Sequence, residues 1–229
     1  MTIPSTHIEI EQIYLAAEFN NCRSVCITAC QSGDGVTSIA TALTERYLLA
    51  GYKTLLVDLN MFHPAFYALK LNQSDAMEHW IKHKHSHRLF NGLATPNDPL
   101  AELAYKDPFM MSRRIEQWLN NFERIVIDTS PLLKINHRNI PAQSVASACD
   151  KTILVVRGNI NTTTQIESAM KLLRLRKISL LGTVFNAKDQ PSLSHEIIRG
   201  LKKIPFISKN LRHKLEVRLL KSQFLSQLA

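Results

Sequence analysis

Five stretches of the chain are almost unbroken in aliphatic character: "SVCITAC" (24–30), "KTLLVDL" (53–59), "ERIVIDTS" (123–130), "KTILVVRG" (151–158) and "ISLLGTVFN" (178–186). A half-exposed strand alternates apolar with polar, whereas these runs suit strands covered on both faces, as in a parallel sheet. Between them lie segments of helical period: about 8 to 19, Thr37 to Ala50, "PFMMSRRIEQWLNNF" (108–122) and "TQIESAMKLLRL" (164–175). Gly51 sits where a helix ending at Ala50 needs its left-handed cap. The stretch 71 to 95 reads as polar and irregular, and no element is predicted there. Strands alternating with helices predict an α/β fold, a mostly parallel sheet flanked by helices on both faces in three layers.

With 229 residues, 45% of them apolar, the chain is long enough to bury a full core. With no internal repeat or linker, the pattern predicts a single domain over 1–229. It comprises an N-terminal helix within 1–20, a core over 21–207 and a basic C-terminal helix over 208–229. "MTIPSTHIEIEQ" lacks a basic start followed by an apolar stretch, so no signal peptide is expected. No apolar run approaches the roughly 18 residues that span a bilayer. A cytoplasmic protein is expected, meeting a membrane through a partner.

The formal charge is +9. From Glu196 onward eight Lys or Arg face two Glu, a tail suited to an acidic partner or surface but specific for no nucleic acid. On a helical wheel Leu211, Leu215 and Leu219 form one apolar arc, and Val217, Leu220, Phe224 and Leu228 another. A membrane-surface helix has one apolar face. Two arcs predict packing between the domain and a protein partner. Cys22, Cys26 and Cys30 are spaced by four; Cys26 and Cys30 lie in and at the end of an apolar strand, and the three read as small buried thiols. "HWIKHKHSHR" (79–88) has four histidines interrupted by lysines, with no carboxylate or cysteine to complete a metal site, and reads as a solvated basic loop.

In parallel sheets ligands sit beyond the carboxyl ends of the strands. The residues falling there are the glycine loop at 31–36, Asp58 with Asn60, Asp128 and Asn186. Asp58 and Asp128 each end a run of aliphatics, where a charge calls for a cation. In "ITACQSGDGVTSIATAL" (27–43) a strand, a tight glycine loop, two hydroxyls and a helix succeed one another. That is the layout of a P-loop, whose backbone N–H groups cradle phosphates.

On these motifs the chain resembles the bacterial tyrosine kinases of polysaccharide export, a branch of the ParA/MinD group of P-loop proteins. "TLLVDLNMFHP" is similar to that family's second acidic motif, "PNDPLAEL" to its PNPxELL stretch, and "FERIVIDTSPLL" to its Walker B segment. "LLGTVFNAKD" is similar to the strand whose asparagine, here Asn186, lies near the adenine. The resemblance runs from about residue 11 to 188 and implies a P-loop NTPase-like sheet of seven or eight strands. It also implies nucleotide contacts from Gly33, Asp34, Gly35, Val36, Thr37, Ser38 and Asn186. Asp58 and Asp128 would be the ancestral catalytic carboxylates, and Thr37, Asp58 and Asp128 the Mg²⁺ ligands.

The sequence departs from the family in several places. Val36 stands where the loop lysine belongs, and Gln31 where ParA and MinD proteins carry a second lysine. Asn60 replaces the second aspartate. The ExxRxxR oligomerisation motif falls on Glu11, Tyr14 and Ala17, without its arginines. The carboxyl-terminal tyrosine cluster is absent, since no tyrosine follows Tyr105. A charged hydrogen bond contributes about 1.5–3 kcal/mol, so Val36 predicts weak nucleotide binding or none, with ATP or ADP and Mg²⁺ as the cofactors in question. Three functions are consistent with this pattern: a pseudo-enzyme scaffolding polysaccharide assembly, a MinD-like localisation factor, and an active ATPase or kinase with a compensating cation. For that cation Lys53, Arg157 and Lys188 are the candidates. A protein partner of membrane-associated polysaccharide assembly is expected, and a homo-oligomer is a further expectation.

Overall fold

A computed structural model describes residues 3–69, 80–134, 136, 139–188, 193–202 and 215–219. It falls into two compact units, Met1–Val156 with Asn161–Val184, and Arg157–Ile160 with Phe185–Ala229. The fold is α/β, with an eight-stranded, mostly parallel sheet.

Each aliphatic run is a strand: β1 (Ser24–Ala29), β2 (Thr54–Leu59), β6 (Arg124–Thr129), β7 (Lys151–Arg157) and β8 (Leu180–Asn186). Three short strands complete the sheet: β3 (Phe66–Leu69), β4 (Trp80–His83) and β5 (Leu89–Leu93). The order is β3-β4-β5-β2-β6-β1-β7-β8. β6 and β7 flank β1 in parallel, and β2 pairs in parallel with β5 and β6. β1 and β2 are buried along their whole length, as strands covered on both faces must be.

Alternate side chains of one strand meet different helices. Val25, Ile27 and Ala29 of β1 pack with residues of α1 (Ile8–Phe19) and α2 (Val36–Leu49). Cys26 joins α4 (Pro108–Leu119) and α5 (Ala142–Ala148) on the other face. α3 (Pro99–Lys106), capped by the Asp98 carboxylate, precedes α4. α6 (Thr163–Leu175) opens on a capping box of Thr162 and Gln165. α1 and α2 are clamped together: both Glu11 oxygens accept from Arg46, at 2.5 and 2.9 Å, and the Arg46 guanidinium lies 3.9 Å over the Tyr14 ring. Two positions of the missing ExxRxxR motif therefore hold an intramolecular contact. Gly51 takes a φ of 88° after α2, as its capping role requires.

The stretch 71–95, expected to be irregular, needs correction. Residues 70–79 lie outside the described residues, but 80–93 is a β-hairpin, β4 and β5 antiparallel, closing the edge of the sheet with β3. Each of its strands has one fully anchored apolar side chain, Ile81 and Phe90, which face each other across the pair. So few anchors leave no readable period, and cross-strand packing decides the conformation. Gly92 is needed there because a Cβ would sit 2.2 Å from the Leu56 carbonyl oxygen. Residues 80–88 of the His-rich run thus belong to the hairpin and its turn, and His83 is half-buried. In the second unit, α7 (Leu193–Lys202) and a helical stretch at 215–219 are described. The two-arc helix expected over 208–229 lies otherwise outside the described residues.

Candidate functional site

The loop between β1 and α2 has the backbone that a phosphate cradle needs. Gly33 and Gly35 adopt φ of 88° and 111°, left-handed values that side chains resist, and Gly35 is the N-cap of α2. Asp34 is buried inside the loop. One of its oxygens accepts the Gln31 N–H at 2.8 Å, and the other accepts the Asn161 amide at 3.3 Å. Its side chain holds the loop's shape from within. A helix N-terminus that follows a glycine turn is a setting for an anion.

A cavity of about 270 Å³ opens there, lined by Gln31, Ser32, Gly33, Val36, Thr37 and Asn60 among others. Val36 is only 8% exposed and belongs to the core cluster under α2. Among the described residues no lysine or arginine lines this cavity; His63 is its one ionisable base. Thr37 and Ser38 line it too, and the Thr37 hydroxyl donates to Asp128 Oδ2 at 2.5 Å.

Asp58 and Asp128 are register partners on adjacent parallel strands, and both are fully buried. Burial pushes Asp58 up to about 6, against the pull of three backbone N–H groups and the charge of Lys84. Those N–H groups are Asn60 on Oδ1 (3.0 Å) and Ala65 and Phe66 on Oδ2 (2.9 and 3.3 Å). Asp128 is pushed well above the carboxylate range by burial and then by Asp58, offset by the Thr37 and Asn60 side chains. Its Oδ1 is buried with no hydrogen-bond partner among the described residues. Two carboxylates in register, one with an orphaned oxygen beside a threonine hydroxyl, fit a divalent cation. Thr37 and Asp128 would hold Mg²⁺, and the loop N–H groups would hold the phosphates. There Mg²⁺ would neutralise phosphate charge for transfer. The residue that does not fit such a site is Val36, which offers no cation. Asn60 gives Asp128 an amide where a second aspartate would add a third negative charge.

The structure thus brings together Gly33, Asp34, Gly35, Val36, Thr37, Ser38, Asn60, Asp58 and Asp128. Asn186 belongs to the second unit, where its side chain accepts the Lys188 N–H at 3.1 Å and its carbonyl accepts that of Gly158 at 2.9 Å. Lys53 precedes β2 at the amino end of the sheet. Six residues of strand, about 20 Å, separate it from the loop end. Its ammonium lies 5.5 Å over the Phe122 ring, so as a compensating cation Lys53 is excluded. Arg157 and Lys188 belong to the second unit. Cys22, Cys26 and Cys30 are buried free thiols. Sequence reasoning missed Lys84, whose charge acts on Asp58. The signal was the run of basic residues at 79–88, which reads as a solvated basic loop because no carboxylate or cysteine in it completes a metal site.

The sequence profile of the AAA domain family matches residues 23–210. The chain belongs to that family of P-loop proteins. It is 26% identical to the putative tyrosine-protein kinase CapB of Staphylococcus aureus, over 73% of this chain and 76% of that protein. Among solved structures, the chimerical protein CapA2B2 superposes with a TM-score of 0.59 at 24% identity, over 77% of this chain and 81% of that one. The septum site-determining protein MinD of Pyrococcus horikoshii, complexed with Mg-ADP, superposes at 0.52 and 16% identity, over 90% and 92%. The fold is therefore the one shared by bacterial tyrosine kinase domains and MinD/ParA proteins. No described helix is long and apolar enough to cross a membrane.

Proposed function

We propose that this chain is a pseudo-enzyme: a relative of the tyrosine kinases of polysaccharide export that no longer transfers phosphoryl groups. It acts in the cytoplasm as a regulator or scaffold of polysaccharide assembly, through a membrane-associated protein partner. The observation that carries this reading is Val36. Its side chain is packed into the core where the family places its lysine, and no other lysine or arginine lines the loop cavity among the described residues. Loss of one electrostatic transition-state contact costs about 10²–10³ in rate. Asn60 removes a second acidic group, and no tyrosine follows Tyr105 in this sequence for such a kinase to phosphorylate. Intact-mass measurement after incubation with Mg-ATP tests the reading. The expected spectrum is a single unmodified species; phosphoryl additions that vanish in Asp128→Ala would overturn it.

A further inference from the structure

A cleft of about 880 Å³ opens beside the P-loop and shares Thr37, Ser38 and His63 with the smaller loop cavity. One wall is the first turn and a half of α2. The β2–β3 connection, with Phe62 and His63, lies below it. The opposite wall is the β4–β5 turn, which contributes His83, Lys84, His85, Ser86 and Arg88. Among the described residues two permanent cations and three imidazoles line this space, and no carboxylate does.

The turn is held in one shape. Its main chain closes on itself from His83 N–H to the Arg88 carbonyl at 2.9 Å. His83 Nδ1 accepts the N–H groups of His85 and Ser86 at 3.2 and 3.0 Å. Burial first, then His85 and Arg88, holds the His83 ring below its ordinary range, consistent with a neutral imidazole accepting at Nδ1. The Lys84 ammonium bonds the Pro64 carbonyl oxygen, and the Lys84 N–H bonds that of Ala65 at 2.9 Å. Arg88 is anchored on Glu45 at 2.8 Å. Glu45 compensates Arg88, which leaves the exposed Lys84 ammonium as the permanent cation that can draw an anion into the cleft.

We propose that this cleft binds a small phosphate-bearing ligand, its phosphate received between the Ser38 hydroxyl and the basic hairpin turn at Lys84 and His85. Phosphate accepts from hydroxyls and ammonium alike, and Phe62 offers an apolar surface to the rest of the ligand. The site does not rest on the pseudo-enzyme reading, since an active P-loop would leave the cleft's chemistry unchanged.

Calorimetric titration of the full chain with inorganic tripolyphosphate, at low salt and without magnesium, tests it. Lys84 and His85 are exposed, so Lys84→Gln with His85→Gln should keep the wild-type circular dichroism spectrum while weakening binding at least tenfold. Ser32 lines only the loop cavity, and Ser32→Asp, which repels anions from that cavity, should leave binding within twofold of wild type. The proposal is overturned if wild type does not bind at millimolar tripolyphosphate, or if the hairpin variant binds like wild type. Equal loss in both variants also overturns it, because the anion then sits in the P-loop.

Discussion

Asp58 and Asp128 occupy matching positions at the ends of neighbouring strands, one register step of the same ladder, yet the chain uses them differently. Asp58 is spent on its own loop: both oxygens accept backbone N–H groups, from positions two, seven and eight residues further on. Asp128 receives the Thr37 hydroxyl and keeps one buried oxygen without a partner. Equivalent positions in the ladder thus carry a loop organiser and a ligand in waiting. Where a P-loop protein loses its chemistry, the first has a folding reason to persist. The second has none unless a cation or nucleotide still visits.

This difference predicts opposite responses to mutation. Asp58→Ala leaves three N–H groups without their acceptor, at about 1–3 kcal/mol for each that stays buried. The expected loss of stability is therefore at least about 3 kcal/mol, read by chemical denaturation; a loss under 1 kcal/mol would put the loop's order elsewhere.

A pH profile sharpens the comparison. Asp58 is raised from 3.8 to about 6, so the folded state binds its proton more tightly than the unfolded chain. The stability this contributes is fully present below pH 4 and is lost as pH rises through about 6, on the order of 3 kcal/mol. The melting temperature of the metal-free protein should fall across that window, and the fall should disappear in Asp58→Asn combined with Asp128→Asn. A profile rising from pH 4 to 6.5 would contradict the burial of Asp58 as the cause of its raised pKa.

The smallest effect is expected at Asp128. Asp128→Asn removes a buried carboxyl whose ionisation burial and Asp58 both oppose, while keeping an acceptor for Thr37, so it should stabilise the protein at pH 7 by about 1 kcal/mol. Destabilisation by that amount would mean that the carboxylate is held for structure, as Asp58 is.

The parallel half of the sheet was legible because strands buried on both faces leave continuous aliphatic runs, and Gly33, Gly35 and Gly51 mark backbone that only glycine adopts easily. The edge hairpin was not legible. Ile81 and Phe90 are its only deep anchors, and Gly92 answers to the Leu56 carbonyl, a contact made only by folding. Asp58 and Asp128 could be placed at one sheet edge from their positions after apolar runs. Their division of labour could not, because it depends on the N–H groups of Ala65 and Phe66 and on the Thr37 hydroxyl. Lys53 shows the limit from the other side: its place beside a core strand was readable, but not that it sits at the far end.

The central claim is that Val36 has disabled the site. Calorimetric titration of Mg-ATP into wild type and Val36→Lys, with phosphate release followed on the same samples, tests it most directly. Val36 lines the loop cavity, so a lysine there can snorkel its ammonium toward the phosphates. Affinity should rise by about 1.5–3 kcal/mol, the contribution of a charge-assisted hydrogen bond, over weak or unmeasurable wild-type binding. Phosphate release should stay at background in both, because Asn60 still replaces a carboxylate. Robust wild-type phosphate release that Asp128→Ala abolishes would contradict the account.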